Sequence, residues 1–337
     1  MYGLPRLGLH IANHGSAASA LRLAKKAEQA GVNSIWLSED LFYRGAFSLA
    51  GAVAAHTERA QIGFGVIAPQ LRHPAALAME VRSLLDLAGD RVLLGIGAGV
   101  NERVAKLGFD SLPPVATVRH SVDAVRALLR GVELDQDGPP HVSRGLTLTG
   151  EPPSKLPPFY VAAVGPKALA QAGATMDGVI LSIMCSRSQA AWSTEAVRTA
   201  AKQAGREEPP PVVAYLPMAV DTDGDRARAR MKDLLIYFIA RWAEVAFLSA
   251  LFTDWSDMDR EQLRRVAELV RRGEDARPLI PDEMVDEYCV AGTREDCARS
   301  LLRFAEAGIS VAAIDAGADP AHHDDVLDAL ASLCGNA

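Results

Sequence analysis

The chain has 337 residues, 49% of them hydrophobic and 23% charged, with a formal net charge of -7, enough for a sizeable core in one or two domains. Acidic and basic residues are interspersed, which argues against a nucleic-acid stripe and against an anionic membrane surface. Four cysteines (Cys185, Cys289, Cys297, Cys334) without metal-finger spacing, no apolar run of about 18 residues and an N-terminus unlike a signal peptide together predict a cytoplasmic protein with reduced thiols and no membrane span.

Short apolar runs alternate with helical patterns along most of the chain. Leu7–Ala12 reads as a first strand, and Ala17–Ala30 as its helix, stopped by Gly31. Asn33–Ser38 is a second strand and Phe47–Glu58 an alanine-rich helix. Gln61–Ile67 is a third strand, followed by a helix over Pro74–Ala88 that starts on proline, a favoured first position. Arg91–Gly97 is a fourth strand, and Val115–Arg130 a helix with Val118, Val122, Val125 and Leu129 on one face. Residues 131–158, with DGPP and EPPSKLPP, break the rhythm and read as a surface insertion carrying a short hairpin.

The alternation resumes with strands at Phe159–Ala163, Gly178–Ile183 and Val212–Val220, and helices at Lys167–Ala174 and Ser188–Ala204. Residues 225–273 are helical with a break near Thr253–Asp257, too long for a plain connection and therefore an inserted excursion. Helices at Asp282–Tyr288 and Thr293–Ala307, a strand at Ser310–Asp315 and a last helix complete the chain. Eight strands separated by helices predict a (β/α)8 TIM barrel with insertions, one domain over residues 1–337 interrupted at about 131–157 and 237–281. The competitor, a doubly wound sheet, lacks a Gly-x-Gly-x-x-Gly after its first strand.

In such a barrel the chemistry sits at the carboxyl ends of the strands. Candidates there include His10, Asn13 and His14; Ser38, Glu39 and Asp40; residues 65–69; Gly97 to Glu102; Ala163 to Lys167; Met184 to Arg187; and Tyr215 to Met218. In AAVGPKAL, Gly165 and Pro166 open a helix whose free N–H groups, with Lys167, make an anion seat; an ordinary turn with a surface lysine is the plain alternative. Glu39 and Asp40 are adjacent carboxylates, one a candidate acceptor or proton donor; a helix cap or a salt bridge, for example with Arg44, competes with that role. His10 lies in an alternating strand and can face the lumen as a proton donor or sit as a bonded core histidine. No HExxH or comparable ligand spacing occurs, so no metal is expected, and no G-x-S-x-G elbow suggests a serine hydrolase.

The segments SIWLSEDLF, IGFGVIAPQLRHPAALA, RVLLGIGAG, PVATVR, PPFYVAAVGPKALAQAG and VAGTREDCARSLLRFAEAGI, in that order over nearly the whole chain, resemble the bacterial luciferase-like superfamily of flavin and deazaflavin enzymes. They look most like its F420-dependent methylenetetrahydromethanopterin-reductase-like branch. The resemblance implies a non-prolyl cis peptide at Gly65-Val66 backing a tricyclic ring, with Ala68 nearby. It implies a phosphate seat at Ala163, Val164, Gly165, Pro166 and Lys167. Gly97, Ala98, Gly99 and Asn101 would border the ring or its ribityl chain, and Met184 joins the cofactor-binding set.

One departure stands out. The family usually carries Asp-His after strand two, where this chain has Glu39-Asp40, so an imidazole is missing there. His10 stands where the reductase branch often has a carboxylate, which makes Glu39, Asp40 and His10 the catalytic candidates. The resemblance implies an F420-dependent oxidoreductase passing a hydride between the deazaflavin and a C=N or C=C bond of a small organic substrate. The alternatives are an FMN-dependent monooxygenase on the same barrel, or a barrel that has lost redox activity. A homodimer is the expected assembly, with no nucleic-acid or membrane partner, and the aromatic stretch Tyr237–Trp255 reads as a lid or a subunit contact.

Overall fold

A computed structural model of the chain describes residues 3–109, 112–137, 140–317 and 319–335; Gly138 and Pro139 of the sequence-predicted insertion, and the two residues at each end of the predicted domain, lie outside the described residues. The strands are β1 (Arg6–Ile11), β2 (Ser34–Leu37), β3 (Gln61–Phe64), β4 (Val92–Ile96), β5 (Leu134–Asp137), β6 (Val142–Leu146), β7 (Phe159–Ala162), β8 (Gly178–Ile180), β9 (Val212–Val220), β10 (Val290–Gly292) and β11 (Val311–Asp315). Eight of them form a ring of parallel neighbours, β9-β11-β1-β2-β3-β4-β7-β8, closed by the β8–β9 pairing. The fold is the (β/α)8 barrel expected from the alternation, and all eight predicted strands are in it.

Local chemistry explains the helix boundaries. Ser16 accepts from the Ser19 N–H at 3.1 Å and starts the helix Ala17–Gln29, and Gly31, at φ 85°, turns the chain out of it. Pro74 opens Pro74–Ala88 behind a His73 cap. Reciprocal capping boxes, Asp259 with Gln262 and Thr293 with Asp296, open the helices Arg260–Arg272 and Arg294–Glu306. The barrel strands are buried almost throughout, all nine residues of β9 included, as strands covered on both faces must be.

The lumen is filled by Trp36, Leu93, Tyr160, Ile180, Val213, Tyr215, Val311 and Ala313. Large rings are accommodated by missing side chains opposite them: a Cβ on Gly63 would meet Trp36 at 2.4 Å, and one on Gly178 would meet Tyr160 at 2.0 Å. Two-residue periodicity extends each lumen-facing row to the carboxyl end of its strand, which puts His10, Ser38 and Asp315 in the top layer.

Three features were not legible beforehand. Val290–Gly292 pairs with Met218–Val220 at the overhanging end of β9, outside the ring. A one-turn helix, Asn101–Ala105, follows the glycines after β4. The helical excursion breaks twice, giving Gly224–Trp242, Ala246–Thr253 and Arg260–Arg272. With Asp282–Tyr288 these helices enclose a second core around Met231, Leu235, Ile239, Leu263, Met284 and Tyr288. Ile183 packs against both this core and the lumen, so the excursion flanks the mouth on the β8–β9 side. The hairpin of the first insertion is present as antiparallel β5 and β6.

Candidate active site

The carboxyl ends of β11, β1 and β2 carry a chain of hydrogen bonds. Asp315 Oδ2 lies 2.9 Å from His10 Nδ1, and His10 Nε2 lies 2.6 Å from Ser38 Oγ. Ser38 Oγ reaches the Gly65 carbonyl at 3.3 Å. The Gly65-Val66 peptide is cis, as the family resemblance implied. Asp315 and His10 are register partners on adjacent strands, so their side chains leave the sheet on the same side. The Gly317 N–H donates to Asp315 Oδ1 at 2.8 Å. Burial pushes the Asp315 carboxyl up, but the hydrogen bond and charge of His10 and the Gly317 N–H outweigh it and hold it below the usual range.

Tyr215 stacks on the His10 ring, centroids 4.4 Å apart and planes 15° apart. Its hydroxyl is buried and has no hydrogen-bond partner among the described residues. Burial, with the Asp40 charge, raises its pKa well above the ordinary phenol value. A Cβ on Gly65 would fall 1.3 Å from that hydroxyl, so Tyr215 occupies the space the glycine leaves.

Glu39 and Asp40 part company. Glu39 is buried, accepts the Ala46 N–H at 2.9 Å at the start of the helix Ala46–His56, and pairs with both terminal nitrogens of Arg72 at 2.5 and 2.7 Å. Its partner is thus Arg72, and the competing salt bridge to Arg44 suggested by the sequence does not form. Asp40 sits on the rim, 3.0 Å from His14 Nε2 and 3.4 Å from an Arg103 nitrogen. Asn13 ties that rim loop down through the Asp40 and Arg44 carbonyls at 3.1 and 2.6 Å. Tyr43, half exposed, packs on His14 at 4.2 Å between centroids.

The opposite side of the mouth is mostly backbone. Gly97 is buried against Val66, Ala98 is half-buried, and Gly99, at φ 75°, and Asn101 are exposed. Ala68 is buried beside Gly99. Ala163 is buried and Val164 half-buried, while Gly165, Pro166 and Lys167 are exposed at the start of the helix Pro166–Thr175. That helix start has no side-chain cap, and a Cβ on Gly165 would meet nothing within 4 Å. Its leading N–H groups therefore face an open approach, which suits an anion. Met184, at φ 60°, is fully buried in the second core.

Of the residues singled out from sequence, the structure joins His10 to Ser38 and sets Glu39 and Asp40 apart. Asp315 was not among the candidates, although a carboxylate ending the apolar run VAAID at a strand's carboxyl end was a signal. Tyr215 was noted only as part of a strand end; nothing local to it reveals the stack on His10. Among the described residues no cluster of His, Cys, Asp or Glu could hold a metal ion, and no helix is long and apolar enough to cross a membrane.

The chain is similar to several known proteins. The 5,10-methylenetetrahydromethanopterin reductase of Archaeoglobus fulgidus is 28% identical over 288 residues, 85% of this chain and 86% of that protein. The F420-dependent glucose-6-phosphate dehydrogenase of Beutenbergia cavernae is 36% identical over 166 residues, 46% of this chain and 49% of that protein. The solved coenzyme F420-dependent tetrahydromethanopterin reductase from Methanopyrus kandleri superposes with a TM-score of 0.79 at 20% identity, covering 98% of this chain and 97% of its own, a likeness of fold. The profile described as luciferase-like monooxygenase matches residues 4–310, and the chain belongs to that family.

Proposed function

We propose that this chain is an F420-dependent oxidoreductase that reduces or oxidises a small organic substrate by hydride transfer. The observation that carries the reading is the uncapped, open start of the helix Pro166–Thr175, on the same strand-end face as the Gly65-Val66 cis peptide. A phosphate-bearing cofactor fits there: Gly165 presents backbone without a side chain, and Lys167 adds positive charge. The names of the curated relatives favour the deazaflavin over FMN, and with it a reductase or dehydrogenase over a monooxygenase.

Ala163, Val164, Gly165, Pro166 and Lys167 would hold the phosphate end, and Gly65, Val66, Ala68, Gly97, Ala98, Gly99 and Asn101 the ring end. The deazaflavin, when bound, supplies two-electron hydride chemistry. The protein orients the partners, excludes water with the strap 39–46 and the helical excursion, and handles one proton. We assign that proton to the Asp315-paired His10. Asp40, with His14 and Arg103, is a rim contact for substrate, and Glu39 holds the strap to Arg72. Met184 acts from behind the mouth through packing. The reading takes the chain as one barrel domain working in the cytoplasm. It takes the assembly as a homodimer; Met79 and Leu87, both exposed on the helix Pro74–Ala88, offer an apolar contact.

Fluorescence titration of the purified protein with F420 and with FMN tests the cofactor. Saturable F420 binding, with no FMN binding, is expected. Turnover of F420 is then assayed with methylenetetrahydromethanopterin and with glucose 6-phosphate, the compounds named for the relatives. FMN binding with oxygen consumption would replace this reading by a monooxygenase. Binding of neither would leave a barrel without redox activity.

A further inference from the structure

The chain Asp315–His10–Ser38 has a property that its members lack singly. Two proton arrangements satisfy it with the heavy atoms fixed. In one, His10 is neutral, its Nδ1–H donates to Asp315, and the Ser38 hydroxyl donates to Nε2. In the other, His10 is protonated on both nitrogens, Nε2–H donates to Ser38 Oγ, and the Ser38 hydroxyl turns its proton to the Gly65 carbonyl. The two differ by a single proton. His10 itself is buried, under a stacked Tyr215, whereas Ser38 is only half-buried and sits at the mouth against the Gly65 carbonyl.

We propose that Ser38 is the catalytic hydroxyl that passes this proton to and from the substrate, with His10 as its reservoir and Asp315 as the positioning residue. The proposal rests on the oxidoreductase reading and narrows it: the bond reduced is polar, a C=N or C=O, because a hydroxyl protonates a nitrogen or oxygen lone pair far more readily than a carbon. As hydride is added at the carbon end, the Ser38 O–H bond breaks and its proton goes to the substrate heteroatom. The His10 Nε2–H bond then breaks and its proton restores the Ser38 hydroxyl. His10 ends neutral, and Asp315 remains a carboxylate throughout. Oxidation runs the same steps in reverse. The arrangement supplies from β1 and β2 together what the missing imidazole after β2 does not.

The charged and titratable groups facing this chain are Asp315 from β11, Tyr215 from β9, Asp40 beyond β2 and His323 from the last helix. None lies between His10 Nε2 and Ser38 Oγ, so a thiol placed at position 38 reports on the imidazole directly.

The test is Ser38→Cys, alkylated with iodoacetamide across a pH series and mapped by mass spectrometry. Background is low because burial raises the thiols of Cys185, Cys289 and Cys297, and raises Cys334 more mildly. The expected profile at position 38 inflects at least one pH unit below the ordinary thiol value of about 8.5, from a thiolate–imidazolium pair. Adding His10→Gln returns it to the ordinary value. The proposal is overturned if both variants inflect at the same pH. It is equally overturned if folded Ser38→Cys resists a reagent that modifies the urea-unfolded chain, since position 38 then cannot reach a substrate. Should the cysteine variant not fold, wild-type protein decides by NMR: a slowly exchanging, far-downfield His10 Nδ1–H resonance, lost in Asp315→Asn, is expected, and its absence overturns the chain. F420 titration of wild type runs in parallel; failure there removes the cofactor reading and leaves the alkylation outcome intact.

Discussion

The two sides of the barrel mouth are built differently. Around β11, β1 and β2 the site consists of side chains: Asp315, His10 and Ser38 bonded in a row, Tyr215 stacked over the row, and Glu39 clamped by Arg72. Around β4 and β7 it consists of backbone: Gly97 and Gly99, then the bare helix start at Gly165. Side chains fixed by neighbours can hold a proton at a chosen atom. Bare N–H groups can meet an anion without regard to proton state. The contrast separates proton handling from cofactor anchorage, so substitutions on the two sides should damage different measurements.

The largest effect is expected on the first side. Ser38→Ala should lower kcat of F420-linked turnover by about 10²–10⁴, the usual worth of a general acid or base, while F420 affinity in the fluorescence titration changes less than about two-fold. A parallel loss of both would erase the division between the sides.

Next comes the seam where the two sides meet. Gly65→Ala forces a Cβ to within 1.3 Å of the Tyr215 hydroxyl and should cost about 1–3 kcal/mol by overpacking, read by urea unfolding. Adding Tyr215→Phe, which removes that hydroxyl, should recover part of the loss. If it recovers none, the clash lies elsewhere.

Asp315→Asn should cost roughly 1.5 kcal/mol at neutral pH, the low end for a hydrogen bond to a charged group, because the amide oxygen still offers His10 Nδ1 a neutral acceptor. Its pH dependence has a definite sign. The folded carboxyl titrates below its unfolded value, so its contribution is complete above about pH 3.9 and fades as pH falls through the folded value. Stability measured from pH 6 downward should therefore fall less steeply in the variant than in wild type.

The smallest effect belongs to the second side. Lys167→Ala should weaken F420 binding by about 2–5-fold, the scale of one exposed charge at a helix start, and the difference should shrink in high salt. Turnover at saturating F420 should be unchanged.

Alternating apolar runs and helical patterns, Gly31 as a helix stop, and Pro74 and Pro166 at helix starts are local signals, and they sufficed for eight barrel strands and their order. They also placed His10 and Ser38 at strand ends, because two-residue alternation fixes which face a residue takes. The short strand Val290–Gly292 escaped because three residues carry no periodicity and its pairing partner, the overhang of β9, is about 70 positions earlier in the chain. The second break in the helical excursion escaped because Ala243 to Val245 contain neither glycine nor proline.

The sequence by itself determined the barrel, the glycines where backbone must approach something, and the uncapped start at Gly165, since all of these follow from residue type and spacing. Only the tertiary structure decided which groups bond to one another. Closure of the ring sets β11 beside β1 and β1 beside β2, so residues 10, 38 and 315 meet although 305 positions separate the outermost pair. The same packing turns Glu39 toward Arg72 and leaves Asp40 on the rim. Alternation along a strand fixes a face, but which neighbour shares that face is fixed by register between strands, and register is a property of the closed sheet.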